Sequence, residues 1–219
     1  MIKIIPALLA HSVDDYQAKL SAVQPHFLEA HVDFMDGVFV TNKTVTPRDV
    51  KNFPTPLKLE AHLMANGPTS WITQLAGGPF TKVIIHQEIG HQALGAIRLI
   101  KSLGLKAGLA TNPQTDLLGS QEYWGELDCI QIMGVTPGHY GAPFDPSTSQ
   151  RVRQLRDRGF PGEIEVDGGV NAQTAAALRG AGAQTLVVGS YFFGSEDSPQ
   201  IDKIGEKLIS LRTALGSTP

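Results

Sequence analysis

Short apolar runs alternate along this chain with longer segments whose apolar residues recur every three or four positions. The first pattern is typical of buried strands and the second of amphipathic helices. We predict strands over residues 2–5, 27–34, 57–63, 82–86, 105–109, 127–133, 163–166 and 185–188. Pro6 is expected to stop the first strand. Each run is followed by a segment of helical pattern, so the chain reads as strand and helix in alternation.

Turn residues mark the ends of the predicted helices. Ser12 can cap a helix whose buried face carries Tyr16, Leu20 and Val23. Further helices are predicted over residues 47–52, 68–75, 91–103, 115–119, 146–158, 172–179 and 201–215. Gly104, Gly159 and Gly180 follow three of these segments and can end them, because glycine readily adopts the left-handed backbone found there.

The eight strand-helix units predict the fold class. They recur about every 27 residues, since 219 divided by eight is about 27. Sustained alternation implies parallel strands, and eight such units can close into a (β/α)8 barrel. We expect one domain spanning residues 1–219, because no linker or low-complexity tract interrupts the pattern. An open doubly wound sheet is the alternative, disfavoured because no GxGxxG fingerprint follows the first strand.

Composition and charge limit the kinds of binding partner and the cellular location that we expect. The hydrophobic share of 42% is ordinary for a globular protein. A net charge of -3 gives no electrostatic reason to expect nucleic acid or an anionic membrane as partner. The one cysteine, Cys129, excludes an internal disulfide and is interpreted as a small buried side chain in a strand. The N-terminal apolar run is too short to span a bilayer and lacks a cleavage site, which predicts a cytoplasmic protein.

Polar residues collect where the predicted strands run into the following loops, the end of such a barrel that carries chemistry. His31 and Asp33 lie two residues apart in a strand, so both side chains point to one face. His62 and Asp167 end two other strands. Two imidazoles and two carboxylates suit one divalent metal ion, such as zinc, iron, manganese or cobalt. His86 ends a further strand, and we interpret it as a group behind the ligands or a hydrogen-bonded structural residue.

Two carboxylates that face one cavity also suit proton transfer on opposite faces of a substrate. Asp33 and Asp167 are the candidates. A bound metal polarises a ketone and its neighbouring hydroxyl, so a metal-stabilised enediolate can form without an organic cofactor. Removing a proton from one face and returning one to the other inverts a carbon centre. Asp36 lies in the turn MDG and is predicted to hydrogen-bond the backbone.

Two further clusters accompany these polar residues. Glycines gather after the last three strands, at Gly138, Gly141, Gly168, Gly169 and Gly189, the last followed by Ser190. Exposed backbone amides in such loops bind phosphate without net positive charge, and barrels often place phosphate near the last two strands. Apart from the first residue, all methionines lie at strand ends: Met35, Met64 and Met133. They predict a polarizable apolar collar over the reacting carbon.

At these residues the chain resembles the ribulose-phosphate 3-epimerase family. The resemblance covers residues 4–194 and rests on the motifs HVDFMDG, AHLM, IEVDGG and GS, in that order. The family is a TIM barrel that interconverts ribulose 5-phosphate and xylulose 5-phosphate, a pentose phosphate reaction, with a divalent metal. The resemblance therefore implies this fold and activity, a small sugar phosphate as substrate, and a homo-oligomer.

The resemblance also implies roles for the matching residues. His31, Asp33, His62 and Asp167 correspond to the metal ligands, with Asp33 and Asp167 as the acid and base. Met35, Met64 and Met133 correspond to the methionine cap. The phosphate-binding loops correspond to Gly138, His139, Tyr140, Gly141, Gly168, Gly169, Gly189 and Ser190. Asn42 and Asn112 also occupy family-like positions, with no role assigned.

Two departures from the family pattern leave the substrate open. Ala7 stands where the family usually has a serine, so a hydroxyl contact is missing. The loop after the sixth strand reads GHYGAPF, in which His139 and Tyr140 add bulk and Ala142-Pro143 replaces the end of the motif. The main hypothesis is a ketopentose phosphate 3-epimerase. The alternatives are the same chemistry on a ketohexose 6-phosphate such as allulose 6-phosphate, and a non-catalytic barrel that binds metal and sugar phosphate.

Overall fold

Eight parallel strands close into a barrel in this computed structural model, which describes residues 2–138, 141–195 and 198–216. The strands are β1 Lys3–Leu9, β2 Glu29–Met35, β3 Lys58–Met64, β4 Phe80–His86, β5 Lys106–Thr111, β6 Cys129–Met133, β7 Glu163–Asp167 and β8 Thr185–Val188. Each strand pairs with the next, and β8 pairs with β1. The predicted (β/α)8 barrel is confirmed, and the open sheet is wrong.

Helices follow the strands around the barrel. They are α1 Val13–Val23, α2 Pro47–Lys51, α3 Thr69–Leu75, α4 Ala93–Ser102, α5 Thr148–Asp157, α6 Ala175–Ala181, α7 Ser190–Phe193 and α8 Ile204–Ala214. The described residues also form 3-10 helices over Gln87–Gln92, Leu117–Glu126 and Ile201–Lys203, and a two-stranded ribbon pairs Gly194–Ser195 with Ser198–Pro199. Among the described residues, none of the helices has the length and apolar character needed to cross a membrane.

Several predicted boundaries can be compared directly. The Oγ of Ser12 accepts a hydrogen bond from the backbone N–H of Asp15 at 3.2 Å, which confirms the cap of α1. Gly180 does not end α6, which continues to Ala181 and ends at Gly182, whose φ is +111°. The predicted helix over residues 115–119 is instead the 3-10 helix Leu117–Glu126. The short helix α7 was not predicted, because four residues are too few to show a helical period.

The prediction that Pro6 stops the first strand is wrong. β1 continues to Leu9, pairing with β8 over residues 3–6 and with β2 over residues 7–9. Pro6 therefore lies where β1 changes from one neighbour to the other. A proline lacks the N–H of a ladder hydrogen bond, and this change of neighbour is a place where the loss is tolerated.

The strands separate an apolar outer layer from a polar interior. On β2, Val32 and Phe34 are buried in the large apolar cluster between strands and helices. His31, Asp33 and Met35 alternate with them and point into the barrel, as the two-residue period of a strand requires. The same alternation places buried charged or polar residues inside the barrel on other strands: Glu60, His62, Lys82, His86, Gln131, Glu165 and Asp167. The residues of the candidate site belong to this polar interior.

Candidate active site

Three strands bring the four predicted ligands together. β2 carries His31 and Asp33, β3 carries His62, and β7 carries Asp167, all of them buried. One ligand atom from each residue lies within 4.8 Å of the others. The pairing of Asp33 with His62 in the strand register explains part of this convergence, because paired residues lie at the same height in the barrel.

The facing atoms can be identified from their distances. His62 Nδ1 lies 2.9 Å from Asp33 Oδ1 and 3.5 Å from Asp167 Oδ2. His31 Nε2 lies 3.4 Å from Asp33 Oδ1 and 3.8 Å from Asp167 Oδ2. This buried nitrogen has no hydrogen-bond partner among the described residues. An imidazole nitrogen left without a partner, beside a second imidazole and two carboxylates, fits a divalent cation of the zinc or manganese type.

A column of charged side chains lies beneath these four residues. His31 Nδ1 is 2.7 Å from Glu60 Oε1, and since a carboxylate only accepts, His31 donates through Nδ1. Lys82 Nζ lies 2.9 Å from Glu60 Oε2 and 3.0 Å from Glu163 Oε2, and it also contacts Glu165. Lys3 continues the column toward the other end of the barrel, 3.5 Å from Glu163 Oε1. We call Glu60, Lys82, Glu163 and Glu165 the charge column.

The two aspartates differ in their affinity for a proton. Burial raises the pKa of Asp167 to about 6, against the opposing charges of His31 and His62. Burial acts in the same direction on Asp33, but the neighbouring imidazoles of His31 and His62 outweigh it and lower the pKa of that carboxyl. Two carboxylates that face one cavity with separated pKa values suit a paired acid and base.

His31 is affected by the same carboxylates. Burial acts to lower its pKa, yet the adjacent carboxylates of Asp33 and Glu60 raise the pKa well above its ordinary value. The imidazole therefore readily holds a proton at the nitrogen that faces the aspartates. A cation bound there would displace that proton, as metal binding to histidine generally does.

His86 lies behind the predicted ligands and outside their group. Its Nε2 is 2.9 Å from His62 Nε2, and its Nδ1 is 3.0 Å from Glu88 Oε2. Burial lowers the pKa of His86 to about 4, so the ring is neutral at neutral pH. This placement agrees with the interpretation of His86 as a group behind the ligands.

A cavity opens above the aspartates at the carboxyl ends of the strands. Its lining includes Ala7, Asp33 and Asp167. The predicted cap and loop residues that line it are Met35, Met64, Met133, Gly138, Gly141, Gly168, Gly169, Gly189 and Ser190. His139 and Tyr140 lie outside the described residues. The structure thus places the candidate cap and loops around one opening over the ligand cluster.

The methionines in this lining form two groups. Met35 and Met64 pack together with Leu9, whereas Met133 packs with Ile84 and Ala110. All three methionines are buried. They therefore form two separate patches of apolar wall in the cavity that Asp33 and Asp167 also line.

Close packing explains why glycine follows β7. Gly169 has φ +68°, and a Cβ added there would lie 2.7 Å from the Phe144 ring. Gly168 has φ +94°, and its added Cβ would lie 2.5 Å from a methyl carbon of Val135. A side chain at either position would be strained in backbone and in contact. The backbone at Gly168 and Gly169 therefore packs closely against Val135 and Phe144, and a larger residue at either glycine position would prevent this contact.

Polar residues flanking the site have structural contacts. Asp36 Oδ1 accepts hydrogen bonds from the backbone N–H groups of Val38 and Phe39, both at 2.8 Å, which confirms its predicted turn role. Asn42 Nδ2 donates to the carbonyl oxygen of Gly138 at 2.8 Å. Asn42 therefore ties the loop after β2 to the loop after β6.

Gln131 was missed by the sequence analysis. It is buried inside β6, and its Nε2 donates to Asp167 Oδ2 at 3.2 Å. The same amide nitrogen lies 3.3 Å from Met133 Sδ. Its position two residues before Met133 was a usable signal, because residues two apart in a strand share a face. Cys129, two residues earlier, is buried as predicted.

Comparison with known proteins decides the family. The model of the ribulose-phosphate 3 epimerase family matches residues 3–193. The chain belongs to this family. The ribulose-phosphate 3-epimerase of Bacillus subtilis (strain 168) is 33% identical over 205 residues, covering 90% of this chain and 94% of the relative. That of Rhodobacter capsulatus is 32% identical, covering 97% and 95%.

Superposition on a solved structure gives a separate test of the barrel fold. A 3-hexulose-6-phosphate synthase superposes with a TM-score of 0.68 at 16% identity, covering 98% of this chain and all of that one. At this identity the likeness concerns the barrel alone. The epimerase family membership rests on the sequence matches, and the resemblance stated from the motifs is confirmed.

Proposed function

We propose that this chain is a metal-dependent epimerase that inverts C3 of a ketopentose phosphate, interconverting D-ribulose 5-phosphate and D-xylulose 5-phosphate. The observation that carries the proposal is the convergence of two imidazoles and two carboxylates within 4.8 Å, in a member of the epimerase family. The cavity above them, with its glycine loops, supports a small phosphorylated substrate.

Asp33 and Asp167 are the proposed acid and base. One carboxylate takes the proton from C3, and the electron pair of the broken C–H bond is delocalised onto the ketone oxygen as an enediolate. The other carboxylic acid then gives a proton to the opposite face of C3, forming the new C–H bond. Because the reaction runs both ways, each aspartate is acid in one direction and base in the other.

The four buried residues His31, Asp33, His62 and Asp167 are the proposed ligands of one zinc, iron, manganese or cobalt ion. Such an ion would supply positive charge that stabilises the oxygens of the enediolate. Each aspartate has two oxygens, so one can serve as a ligand while the other handles a proton. No organic cofactor is needed for this proton exchange.

The glycine loops are the proposed phosphate site. Gly168, Gly169, Gly189 and Ser190 follow β7 and β8 and line the same cavity. Backbone N–H groups of such loops bind phosphate without a lysine or arginine. The apolar wall formed by Met35, Met64 and Met133 would limit water around C3 during the reaction.

Exchange of the C3 proton with deuterated solvent tests the acid and base. Asp33→Asn and Asp167→Asn should each abolish wash-in of deuterium at C3 of ribulose 5-phosphate, measured by NMR or mass spectrometry. Asp14→Asn, at an exposed position of α1, is the matched control and should exchange at the wild-type rate. An Asp167→Asn protein that still exchanges the C3 proton refutes the assignment.

Ala7 gives a specific reason to test a longer substrate. It is 2% exposed and lines the cavity, where a methyl group leaves more room than a hydroxyl-bearing side chain. A ketohexose 6-phosphate such as allulose 6-phosphate is the second candidate. Comparing kcat/KM for the pentulose and hexulose phosphates separates the two. Tight sugar phosphate binding without deuterium exchange would instead indicate a non-catalytic barrel.

A further inference from the structure

We propose that His86 and Glu88 are positioning residues that keep a hydrogen on Nε2 of His62 and so reserve Nδ1 of His62 for the cation. The inference rests on the proposed metal site. It concerns two residues outside the four predicted ligands, and it assigns a direction to the hydrogen bonds that connect them. We call His62, His86 and Glu88 the histidine relay.

The direction of the relay starts at Glu88. Its Oε2 lies 3.0 Å from His86 Nδ1, and an ionised carboxylate can only accept a hydrogen bond. His86 must therefore donate through Nδ1. In a neutral imidazole the second nitrogen then carries a lone pair, so His86 Nε2 is an acceptor.

The next step passes this constraint to His62. Two imidazole nitrogens 2.9 Å apart form a hydrogen bond in which one donates and the other accepts. Since His86 Nε2 accepts, His62 Nε2 donates and keeps its hydrogen. The remaining nitrogen, His62 Nδ1, is the one that lies 2.9 Å from Asp33 Oδ1 and 3.5 Å from Asp167 Oδ2. The relay thus leaves the ligand nitrogen on the side of the aspartates.

The carboxylate that sets this direction is itself held in place. Glu88 Oε1 accepts a hydrogen bond from the backbone N–H of Asn112 at 2.9 Å and another from the hydroxyl of Thr115. The two oxygens of Glu88 therefore have separate partners, with Oε2 left for His86. A backbone N–H can only donate a hydrogen bond, so Asn112 requires an acceptor at the Oε1 position of residue 88. This gives Asn112 a role that the sequence analysis lacked.

The rings of the relay are confined by their surroundings. His62 and His86 are fully buried, and their ring planes are inclined at 22° to each other with centroids 5.0 Å apart. Phe39 packs against His86, with ring centroids 4.6 Å apart. Gln131 Nε2 lies 3.4 Å from both Nδ1 and Nε2 of His62, but an amide N–H is a donor and cannot replace His86 as acceptor.

Nitrogen-15 NMR of histidine-labelled, metal-free protein tests the direction without any activity measurement. Two-bond couplings distinguish a protonated from a bare ring nitrogen, and the signals missing from a His62→Asn sample identify His62. We expect Nε2 of His62 to carry a hydrogen in the wild-type protein. A bare Nε2 with the hydrogen on Nδ1 alone overturns the proposal. This result stands whether or not the protein proves to bind a metal.

Glu88→Gln is the matched perturbation, because it keeps the size of the side chain. Asn112 and Thr115 hold the amide oxygen, so the amide NH2 faces His86 and donates where the carboxylate accepted. The hydrogen bonds of the relay then reverse, and His86 donates to His62 Nε2. The NMR signal of a protonated His62 Nε2 should disappear, and zinc affinity should fall by about 10- to 100-fold in competition with a chromogenic chelator.

Controls separate this effect from lost charge and lost structure. Glu206→Gln removes an exposed negative charge from α8 and should leave zinc affinity unchanged. Circular dichroism should show metal-free Glu88→Gln folded like the wild type. Zinc affinity of Glu88→Gln equal to that of the wild type contradicts the relay. If the wild type itself fails to bind zinc, manganese or cobalt, the proposed metal site is wrong, and the NMR result still reports on the relay.

Discussion

Replacing Lys82 by methionine removes the cation at the centre of the charge column while keeping much of its apolar stem. Lys82 Nζ lies 2.9 Å from Glu60 Oε2 and 3.0 Å from Glu163 Oε2 and also contacts Glu165. The side chains of Lys82 and Glu60 are each 5% exposed, and that of Glu165 is fully buried. Removing one partner of a buried ion pair costs about 3–5 kcal/mol, because the other charge stays buried without compensation.

We therefore expect Lys82→Met to lose about 3–5 kcal/mol of unfolding free energy at pH 8, a large part of the roughly 5–15 kcal/mol typical of a folded protein. The corresponding fall in Tm is about 6–20 °C for a chain of this size. The loss should be smaller at pH 5. Carboxylates without the ammonium have pKa values raised above those of the unfolded chain, so the stability they contribute is lost as pH rises.

Urea unfolding of metal-free protein, followed by circular dichroism at pH 5 and pH 8, measures both quantities. Lys58→Met, at an exposed position of β3, is the control for the loss of one lysine and should change little. Adding Glu165→Gln to Lys82→Met should recover about 1–3 kcal/mol, since residues in one buried network are coupled. A loss below about 1 kcal/mol at pH 8, or a larger loss at pH 5, would refute this account of the column.

Three other changes test separate features. Gly134→Ala places a Cβ 2.4 Å from the backbone oxygen of Gly168 and should lower the unfolding free energy by roughly 1–3 kcal/mol in urea titrations; an unchanged value contradicts the close approach. Burial and the charge of Glu60 raise the pKa of Glu165 to about 8, so stability should fall as pH rises from 5 to 8, and Glu165→Gln should flatten that slope in thermal melts. Ala7→Ser adds a cavity hydroxyl and should lower KM for ribulose 5-phosphate by up to about tenfold, the worth of one hydrogen bond; an unchanged KM argues against contact there.

The barrel and the cluster of four residues could be predicted because both depend on period and order. His31 and Asp33 share a face in any strand, and parallel strands deliver their carboxyl ends to one rim. The error at Pro6 has a different origin. A proline usually ends a strand, and only the three-dimensional pairing shows that β1 changes neighbour there.

The charge column was missed although its period was visible. Glu60 lies two residues before His62, and Glu165 two residues before Asp167, so each shares the inward face of its strand. A charged residue in such a position usually indicates solvent exposure. The ammonium of Lys82, supplied by another strand, makes burial of these carboxylates possible, and that pairing depends on barrel closure.

The histidine relay could not be predicted for a more local reason. Glu88 follows β4 in the 3-10 helix Gln87–Gln92, and it meets Asn112 and Thr115 from the loop after β5. No repeating pattern fixes the path of either loop. His86 was predicted as a polar residue at a strand end. Its hydrogen-bond partners, His62 and Glu88, depend on the three-dimensional paths of the surrounding segments.

Strand register explains why the two candidate ligand histidines face the cluster with different nitrogens. Asp33 pairs with His62 across β2 and β3, so His62 lies at the height of the aspartate and reaches it with Nδ1, the nitrogen nearer its backbone. His31 lies two residues below Asp33 and pairs with Glu60, so it must reach upward with the distal Nε2 and donates sideways through Nδ1. Each ring therefore needs a different acceptor behind it, Glu60 for one and His86 with Glu88 for the other. A one-residue shift of β3 against β2 would separate both pairs, and the register is thus the property on which the whole site depends.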